Sequence, residues 1–253
     1  MTLHRIARRR RSAEKNRPSG IGTLAYILIP PLRIGVKYRF WGTPLPADGP
    51  VVIAANHFSH IDPFVVGAAT WLLGRAPRFM AKASLFRVPI VGFALRHAGQ
   101  VPVERSSAAG RAIVAARIVA EQDRCLVVYP EGSLTRDPDL WPMRGKTGAV
   151  RIALEGDIPL IPMVHWGTQT LMARESHSVS FFPRNTIDIA VGEPVDLSAY
   201  RGQPLTSELL RTATADVMQA MTDLLAQLRH ETAPTERWDP VAHGQTETGR
   251  FRG

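Results

Sequence analysis

The sequence predicts an α/β domain built on a largely parallel sheet flanked by helices, with an N-terminal helical segment suited to docking on a membrane. Two observations carry the domain. Short apolar runs, too short for helices, alternate with helical patterns through the middle of the chain, and that alternation is the signature of a parallel sheet with crossover helices. The chain has 253 residues, 45% of them apolar, enough to bury one sizeable core. The third observation is a proline-broken apolar stretch behind an arginine-rich start, which sets the N-terminal segment apart.

Taken in order, Val51–Ala55 reads as a buried strand, followed by a helix from Asp62 and Pro63 to about Leu73. Arg78–Lys82 is the next strand, and a helix covers Pro89–His97. Gln100–Val103 is strand-like, and Ala108–Glu121 is a helix with Ile113, Val114, Arg117 and Ile118 in its repeat. Cys125–Tyr129 is a strand, and Gly148–Leu154 belongs to a helix. Leu160–Val164 and Ile187–Val191 are the last strands, with Pro102, Pro159 and Pro162 weakening the pairing near strand ends. Thr206 and Ser207 can cap a final helix to about Arg229. Its stripe of Leu209, Leu210, Val217, Met218, Met221, Leu224, Leu225 and Leu228 recurs at spacings of three and four, as core packing requires. The organisation expected is a basic arm over 1–17, an interfacial apolar segment over 18–40, the α/β domain over 41–230 and a flexible polar tail over 231–253.

The net charge of +9 is concentrated at the start. Residues 1–17 carry Arg5, Arg8, Arg9, Arg10, Arg11, Lys15 and Arg17 against Glu14 alone, so the body is nearly balanced. Such an arm suits anionic lipid or nucleic acid, and charge alone fits either, as it fits a solvated tail. Ile21–Val36 is interrupted by Pro30, Pro31 and Arg33, short of the roughly 20 uninterrupted apolar residues of a membrane span. Nor does it carry the small-residue cleavage site of a signal peptide. Arginine arm, apolar stretch, then Lys37 and Arg39 is the arrangement of a segment dipping into one leaflet, although a helix packed on the core gives the same pattern. One cysteine, Cys125, rules out an internal disulfide framework and fits a reducing compartment. Its apolar run predicts a buried, unreactive thiol. Together these features place the chain at the cytoplasmic face of the plasma membrane, peripheral or monotopic.

The chemistry-bearing residues follow strand ends, where open α/β sheets build their sites. After the first strand come Asn56, His57, Ser59, His60, Asp62 and Pro63. His57 and Asp62, five apart, would diverge on one continuous helix. They meet only if His57 lies in the loop and Asp62 opens the helix, and Pro63 supports that, because proline favours the first helical turn. An aspartate on one imidazole nitrogen leaves the other as acceptor and stabilises the imidazolium, which suits deprotonation of an alcohol. The plain alternative makes Asp62 a helix cap and His57 a loop residue. Val101–Arg105 ends a strand in an arginine whose planar fork matches phosphate. Tyr129–Ser133 ends the next in Glu131, Gly132 and Ser133: a carboxylate able to accept from a polyol, a glycine that admits close approach, and a hydroxyl. Ile158–Pro162 ends in a proline turn. Taken singly, Arg105 reads as a surface ion pair and Glu131 as a helix cap.

In this order the four segments resemble the PlsC family of glycerolipid acyltransferases, represented by 1-acyl-glycerol-3-phosphate acyltransferase, over roughly residues 50–195. Asn56, His57 and Asp62 match its Asn-His-x-x-x-x-Asp pattern, Gly99–Arg105 its arginine block, Pro130–Ser133 its Pro-Glu-Gly-Ser/Thr block, and Ile158–Pro162 its proline block. Lys82 and Lys146 fall where family members commonly hold basic residues. The resemblance implies that His57 is a general base oriented by Asp62, and that the acceptor hydroxyl attacks an acyl-CoA or acyl-carrier-protein thioester directly, without an acyl-enzyme. It further implies that Arg105 holds the acceptor phosphate, that Glu131 and Gly132 seat the glycerol, and that Lys146 assists electrostatically. The acceptor expected is a lysophosphatidate-type lipid, with phosphatidic acid as product; glycerol-3-phosphate or another lysophospholipid is the alternative. One position departs from the pattern: many members place arginine where this chain has Leu134, and the next arginine is Arg136.

No cofactor beyond the acyl donor is expected, and no metal, because His60 has no second ligand cluster around it. A hydrolase using the same dyad would need no phosphate site. A non-catalytic lipid- or nucleic-acid-binding protein would leave the strand-end motifs unexplained. Nucleic acid is not an expected partner, because aromatics interleaved with basic residues are sparse.

Overall fold

The computed structural model describes residues 3–6, 11–13, 15, 19–103, 108–176 and 178–246. The seven strands are β1 (Val36–Gly42), β2 (Val51–Ala55), β3 (Pro77–Lys82), β4 (Val101–Val103), β5 (Cys125–Val128), β6 (Leu160–Trp166) and β7 (Asn185–Val191). They form one sheet in the order β1-β7-β6-β2-β5-β3-β4. The helices are α1 (Gly20–Gly35), α2 (Asp62–Leu72), α3 (Pro89–His97), α4 (Ala108–Glu121), α5 (Gly148–Glu155), α6 (Thr168–Leu171) and α7 (Ser207–Arg229).

The two central strands β2 and β5 are apolar at every position because both faces are covered. In β2, Val51, Ile53 and Ala55 enter one core with α1 and α2, while Val52 and Ala54 enter a second with α4, α5 and α7. Cys125 and Val127 of β5 share the first core, and Leu126 and Val128 the second. The α/β architecture therefore matches the expectation, with a mostly parallel sheet. Its departure lies at one side. β7 runs antiparallel to β6, and β1 pairs with β7 in parallel, so these two run against the other strands.

β1 was not among the expected strands. It is half polar, with Val36 and Phe40 buried but Lys37 and Arg39 exposed, as an edge strand with one wet face must be. The apolar segment expected over 18–40 comprises α1 and the first part of this strand. Ser19 caps α1, its hydroxyl accepting from the Gly22 N–H at 3.3 Å. The helix buries Ile21, Ala25, Ile29 and Leu32 against the core and leaves Tyr26, Ile27 and Ile34 largely in solvent. Among the described residues no helix is long and apolar enough to cross a membrane.

The described parts of the basic arm lie on the domain. Ile6 is buried, its N–H donating to the Phe40 carbonyl at 3.0 Å, while the Gly42 N–H donates to the His4 carbonyl at 2.8 Å. These bonds cover the outer edge of β1, where unpaired groups would otherwise invite another chain. Lys15 donates to the Trp71 carbonyl. At the other terminus, residues 231–246 contain no helix or strand but run back over the domain: the Trp238 carbonyl accepts from the Arg144 N–H at 3.1 Å, and Ala233 packs on the second core. An aromatic and a proline, Trp238 and Pro240, supply the contacts that a purely polar tail would lack.

Cys125 is fully buried at the start of a central strand. The native thiol is therefore expected to resist alkylating reagents and to label only as the domain unfolds, measured by mass spectrometry across a denaturant series. Cys125→Ser should fold with reduced stability, by about 1–3 kcal/mol, for the buried hydroxyl.

Candidate active site

The strand order brings the motifs together. β6, β2, β5 and β3 are neighbours, so the segments that follow β2 and β5 emerge side by side at one edge of the sheet. The chain leaves β2 at Ala55, carries His57 in a loop, and enters α2 at Asp62 with Pro63 in the first turn. This is the arrangement that the five-residue spacing required. Asp62 is not the helix cap: Ile61 holds that position and makes no side-chain cap bond. Instead the carboxylate turns back into the loop. Its Oδ2 lies 3.0 Å from His57 Nδ1 and accepts the N–H groups of Phe58 and Ser59, both at 2.8 Å. A carboxylate can only accept, so Nδ1 carries the proton and Nε2 of His57 is left as an acceptor.

Asp62 has no exposed surface. Burial alone would push its carboxyl up, but His165, then the hydrogen bond and charge of His57, then the Ser59 N–H, hold it below the usual carboxylate range. His57 keeps a partly exposed ring, stacked on Tyr129 with 4.2 Å between centroids. Burial raises the Tyr129 phenol well above its ordinary range, so it faces the imidazole as a neutral ring.

Glu131 takes a different place from the polyol seat expected of it. It is almost fully buried, with Oε1 accepting from the His57 N–H and Oε2 from the Met143 N–H, each at 3.1 Å. The carboxylate thus ties the His57 loop to the segment before α5, and both oxygens are engaged inside the protein. Burial pushes this carboxyl up to about 8 against the opposing pull of the Met143 and His57 N–H groups. Gly132 makes the turn after it at φ +71°, a left-handed conformation that favours glycine, and its N–H donates to the Tyr129 carbonyl at 3.0 Å. A Cβ there would stand 3.0 Å from Cδ of Lys146, so the missing side chain is also what admits the lysine. The Ser133 hydroxyl donates to the Leu134 carbonyl at 3.3 Å.

Lys146 is fixed at its backbone, whose N–H donates to the Pro130 carbonyl at 2.7 Å. With Arg144, Thr147 and Arg211 it lines an open cavity of about 320 Å³ that Glu131 floors. Among the sequence-derived site residues, the structure therefore unites His57, Asp62, Glu131, Gly132, Ser133 and Lys146. Arg105 lies outside the described residues, as does the side chain of Lys82, the last residue of β3. Leu134 is buried. One participant, His165, escaped the sequence reading, and Asn56 was read there without a role. His165 lies on β6, with Nε2 3.6 Å from Asp62 Oδ2, and the Asn56 side chain bonds to the His165 backbone. A lone histidine at a strand end gives no spacing signal; only the pairing of β6 with β2 reveals it. No group of three or more metal-ligating side chains occurs among the described residues.

The family model described as Acyltransferase matches residues 38–166, just over half of the chain, and that span contains His57, Asp62, Glu131, Lys146 and His165. The chain belongs to the Acyltransferase family. It is 26% identical over 205 residues to the 1-acyl-sn-glycerol-3-phosphate acyltransferase of Saccharomyces cerevisiae, covering 80% of this chain and 64% of that one. With the enzyme of the same name from Bacillus subtilis it shares 28% over 193 residues, 76% of this chain and 89% of that one. A chloroplastic relative from Brassica napus is 27% identical over 135 residues, 53% of this chain and 38% of its own length. The chain thus spans well under two thirds of the plant relative and just under two thirds of the yeast one. The crystal structure of the 1-acyl-sn-glycerophosphate (LPA) acyltransferase PlsC from Thermotoga maritima shares the fold, with a TM-score of 0.58 at 20% identity over 85% of this chain and 81% of that one.

In this protein the raised Glu131 carboxyl has a stability consequence of fixed sign. The folded state holds its proton at pH values where the unfolded chain has lost it, so the contribution is present below about 4.5 and is lost as pH rises towards about 8. The difference in unfolding free energy between wild type and Glu131→Gln should therefore move against wild type from pH 5 to pH 8, read by denaturant titration at each pH. A difference independent of pH would show that Glu131 is ionised throughout.

Proposed function

We propose that this protein moves a fatty acyl group from an acyl thioester, acyl-CoA or acyl-carrier protein, to the free hydroxyl of 1-acyl-glycerol-3-phosphate, giving phosphatidic acid. The observation that carries the reading is the His57–Asp62 pair, with Nδ1 held at 3.0 Å by a buried carboxylate and a basic cavity beside it. Nε2 of His57 takes the proton of the acceptor hydroxyl as its oxygen attacks the thioester carbonyl carbon. Asp62 stabilises the imidazolium. Collapse of the tetrahedral intermediate breaks the carbon–sulfur bond, and the imidazolium returns the proton to the leaving thiolate. No acyl-enzyme is required, and Cys125 sits too deep to form one. The acceptor phosphate is assigned to Arg105 and Lys146, with Lys82 as a further basic residue and Arg144 on the cavity wall; the glycerol lies over Gly132 and Ser133. Because Leu134 stands where many relatives hold arginine, the acceptor panel that tests this reading includes glycerol-3-phosphate and other lysophospholipids.

The same reading places the enzyme on the cytoplasmic face of the plasma membrane, as a peripheral or monotopic protein drawing lipid from an anionic surface. Supporting it, α1 exposes Tyr26, Ile27 and Ile34 beside Arg33, and α3, whose His97 abuts Gly20 of α1, exposes Ile90 and Phe93 between Arg87 and Arg96. Residues 63–103 contain no Asp or Glu. Apolar side chains ringed only by cations suit an anionic bilayer surface.

With one labelled acyl-thioester and separated lipid products, His57→Ala and Asp62→Asn are each expected to lower transfer by about 10²–10⁴-fold in folded protein. Near-normal turnover by folded His57→Ala would sink the mechanism. Arg105→Ala should raise the acceptor KM more than the donor KM, and an equal effect on both would remove that assignment.

For docking, removing residues 1–40 would also cut into β1, so exposed positions make the cleaner test. Ile27→Asp with Ile34→Asp should weaken binding to anionic vesicles by about tenfold or more, since each buried isoleucine contributes about 1.5–3 kcal/mol. Activity on short soluble substrates should persist. Unchanged co-sedimentation would place docking elsewhere.

A further inference from the structure

β2 leaves the sheet at Ala55, which pairs with Met163 of β6. One residue further, the ladder is continued by side chains. The Asn56 amide donates from Nδ2 to the His165 carbonyl at 3.1 Å, and its Oδ1 accepts from the His165 N–H at 2.9 Å. Asn56 thereby pairs with His165 as a backbone neighbour would. The bond returns through the ring: His165 Nε2 lies 3.0 Å from the Asn56 carbonyl oxygen. That carbonyl can only accept, so Nε2 carries the proton, and Nδ1 is left to accept from the Thr168 hydroxyl at 3.4 Å. The peptide that begins at the Asn56 carbonyl is the one that carries His57.

The clasp is closed to solvent on every side: Asn56, His165, Phe58 and Thr168 are buried, and the Phe58 ring lies on His165 at 4.7 Å between centroids. The ionisable groups facing His165 are Asp62, at 3.6 Å, and His57 beyond it. One buried carboxylate therefore stands between two imidazoles, and their roles are separated by environment. His57 has an open edge, whereas His165 has both nitrogens occupied.

We infer that His165 is a positioning residue of the transfer reaction, forming with Asn56 a reciprocal clasp that sets the peptide carrying His57 and presents an N–H edge to Asp62. The inference rests on the mechanism proposed above, in which His57 is the base. His165 moves no proton. Burial lowers its affinity for one, Asp62 and the Asn56 carbonyl oppose that effect, and a positive charge on His57 during turnover lowers it further. A second cation at this carboxylate would compete with the imidazolium that the reaction has to stabilise. Asn56 thus gains a physical role: its short amide carries donor and acceptor on separate atoms, so it can bond the N–H and the carbonyl of His165 at once.

The test uses the full-length protein with an acyl-thioester and lysophosphatidate. His165→Leu should lower kcat by about 10–100-fold, the size usual when an outer contact of a functional histidine is removed. KM for both substrates should stay within about twofold. His165→Gln, whose side-chain N–H can reach the Asn56 carbonyl, should recover most of kcat. Adding Asn56→Leu to His165→Leu should cost little more, because the two side chains act as one unit. In histidine-labelled wild type, nitrogen NMR should show one buried imidazole held in the Nε2–H form, with its midpoint below the ordinary histidine value. The inference is overturned if Gln performs no better than Leu, if kcat falls only in proportion to the folded fraction, or if the His165 signal shows the Nδ1–H form. Absence of transfer by the wild type with every acceptor would instead refute the proposed function, and the NMR signature would then decide the clasp alone.

Discussion

A single buried carboxylate organises the centre of this molecule. Asp62 has no solvent of its own, so its charge must be met by protein donors, and the loop after β2 is shaped to supply them. The N–H groups of Phe58 and Ser59 converge on Oδ2, and the His57 ring is drawn to the same oxygen. Oδ1 has no hydrogen-bond partner among the described residues. The one-sided arrangement concentrates the charge where the imidazole can feel it. Replacing any of these donors leaves a buried anion uncompensated, which costs more than the bond itself contributes.

Around that point the protein builds a frame rather than a cleft wall. Glu131 joins the His57 peptide to the Met143 peptide, and the Thr135 N–H donates to the His57 carbonyl at 2.7 Å. His57 is thus held at its own N–H, its own carbonyl and its ring. The freedom that remains belongs to the lysine side of the site, where Lys146 rides over Gly132 beside an open basic cavity. A rigid imidazole beside an open cationic surface suits the transfer proposed above, in which geometry is fixed at the hydroxyl while the rest of the acceptor varies. The positive charge of that cavity comes from Arg144 and Lys146 on the approach to α5 and from Arg211 of α7.

The periphery obeys the same rule of satisfied groups. β1 would offer an open edge, but His4, Arg5 and Ile6 pair with it. Residues of the basic arm that look like a detached tail by composition therefore serve the fold, as Trp238 and Pro240 do at the far end. Apolar side chains are left uncovered on α1 and α3, two helices that carry no carboxylate.

The sequence by itself determined the central strands, the helices between them and the dyad. Runs such as Val51–Ala55 and Cys125–Val128 are apolar at every position because two cores cover them, and that pattern needs no partner to be read. The His57–Asp62 spacing, with Pro63, lets the two side chains meet in one local geometry, and the structure adopts it rather than the plain helix cap. β1 stayed hidden because alternating Lys37 and Arg39 mark an edge strand only when its neighbour is known. The reversed direction of β7 depends on how the chain returns after β6, which no residue pattern encodes. Glu131 read as a ligand contact because its burial comes from the Met143 segment packing over it. His165 stands far from His57 in sequence and bears no motif. Its place beside Asp62 exists only because β6 pairs with β2, a contact that the hydrophobic pattern permits and the folded sheet decides.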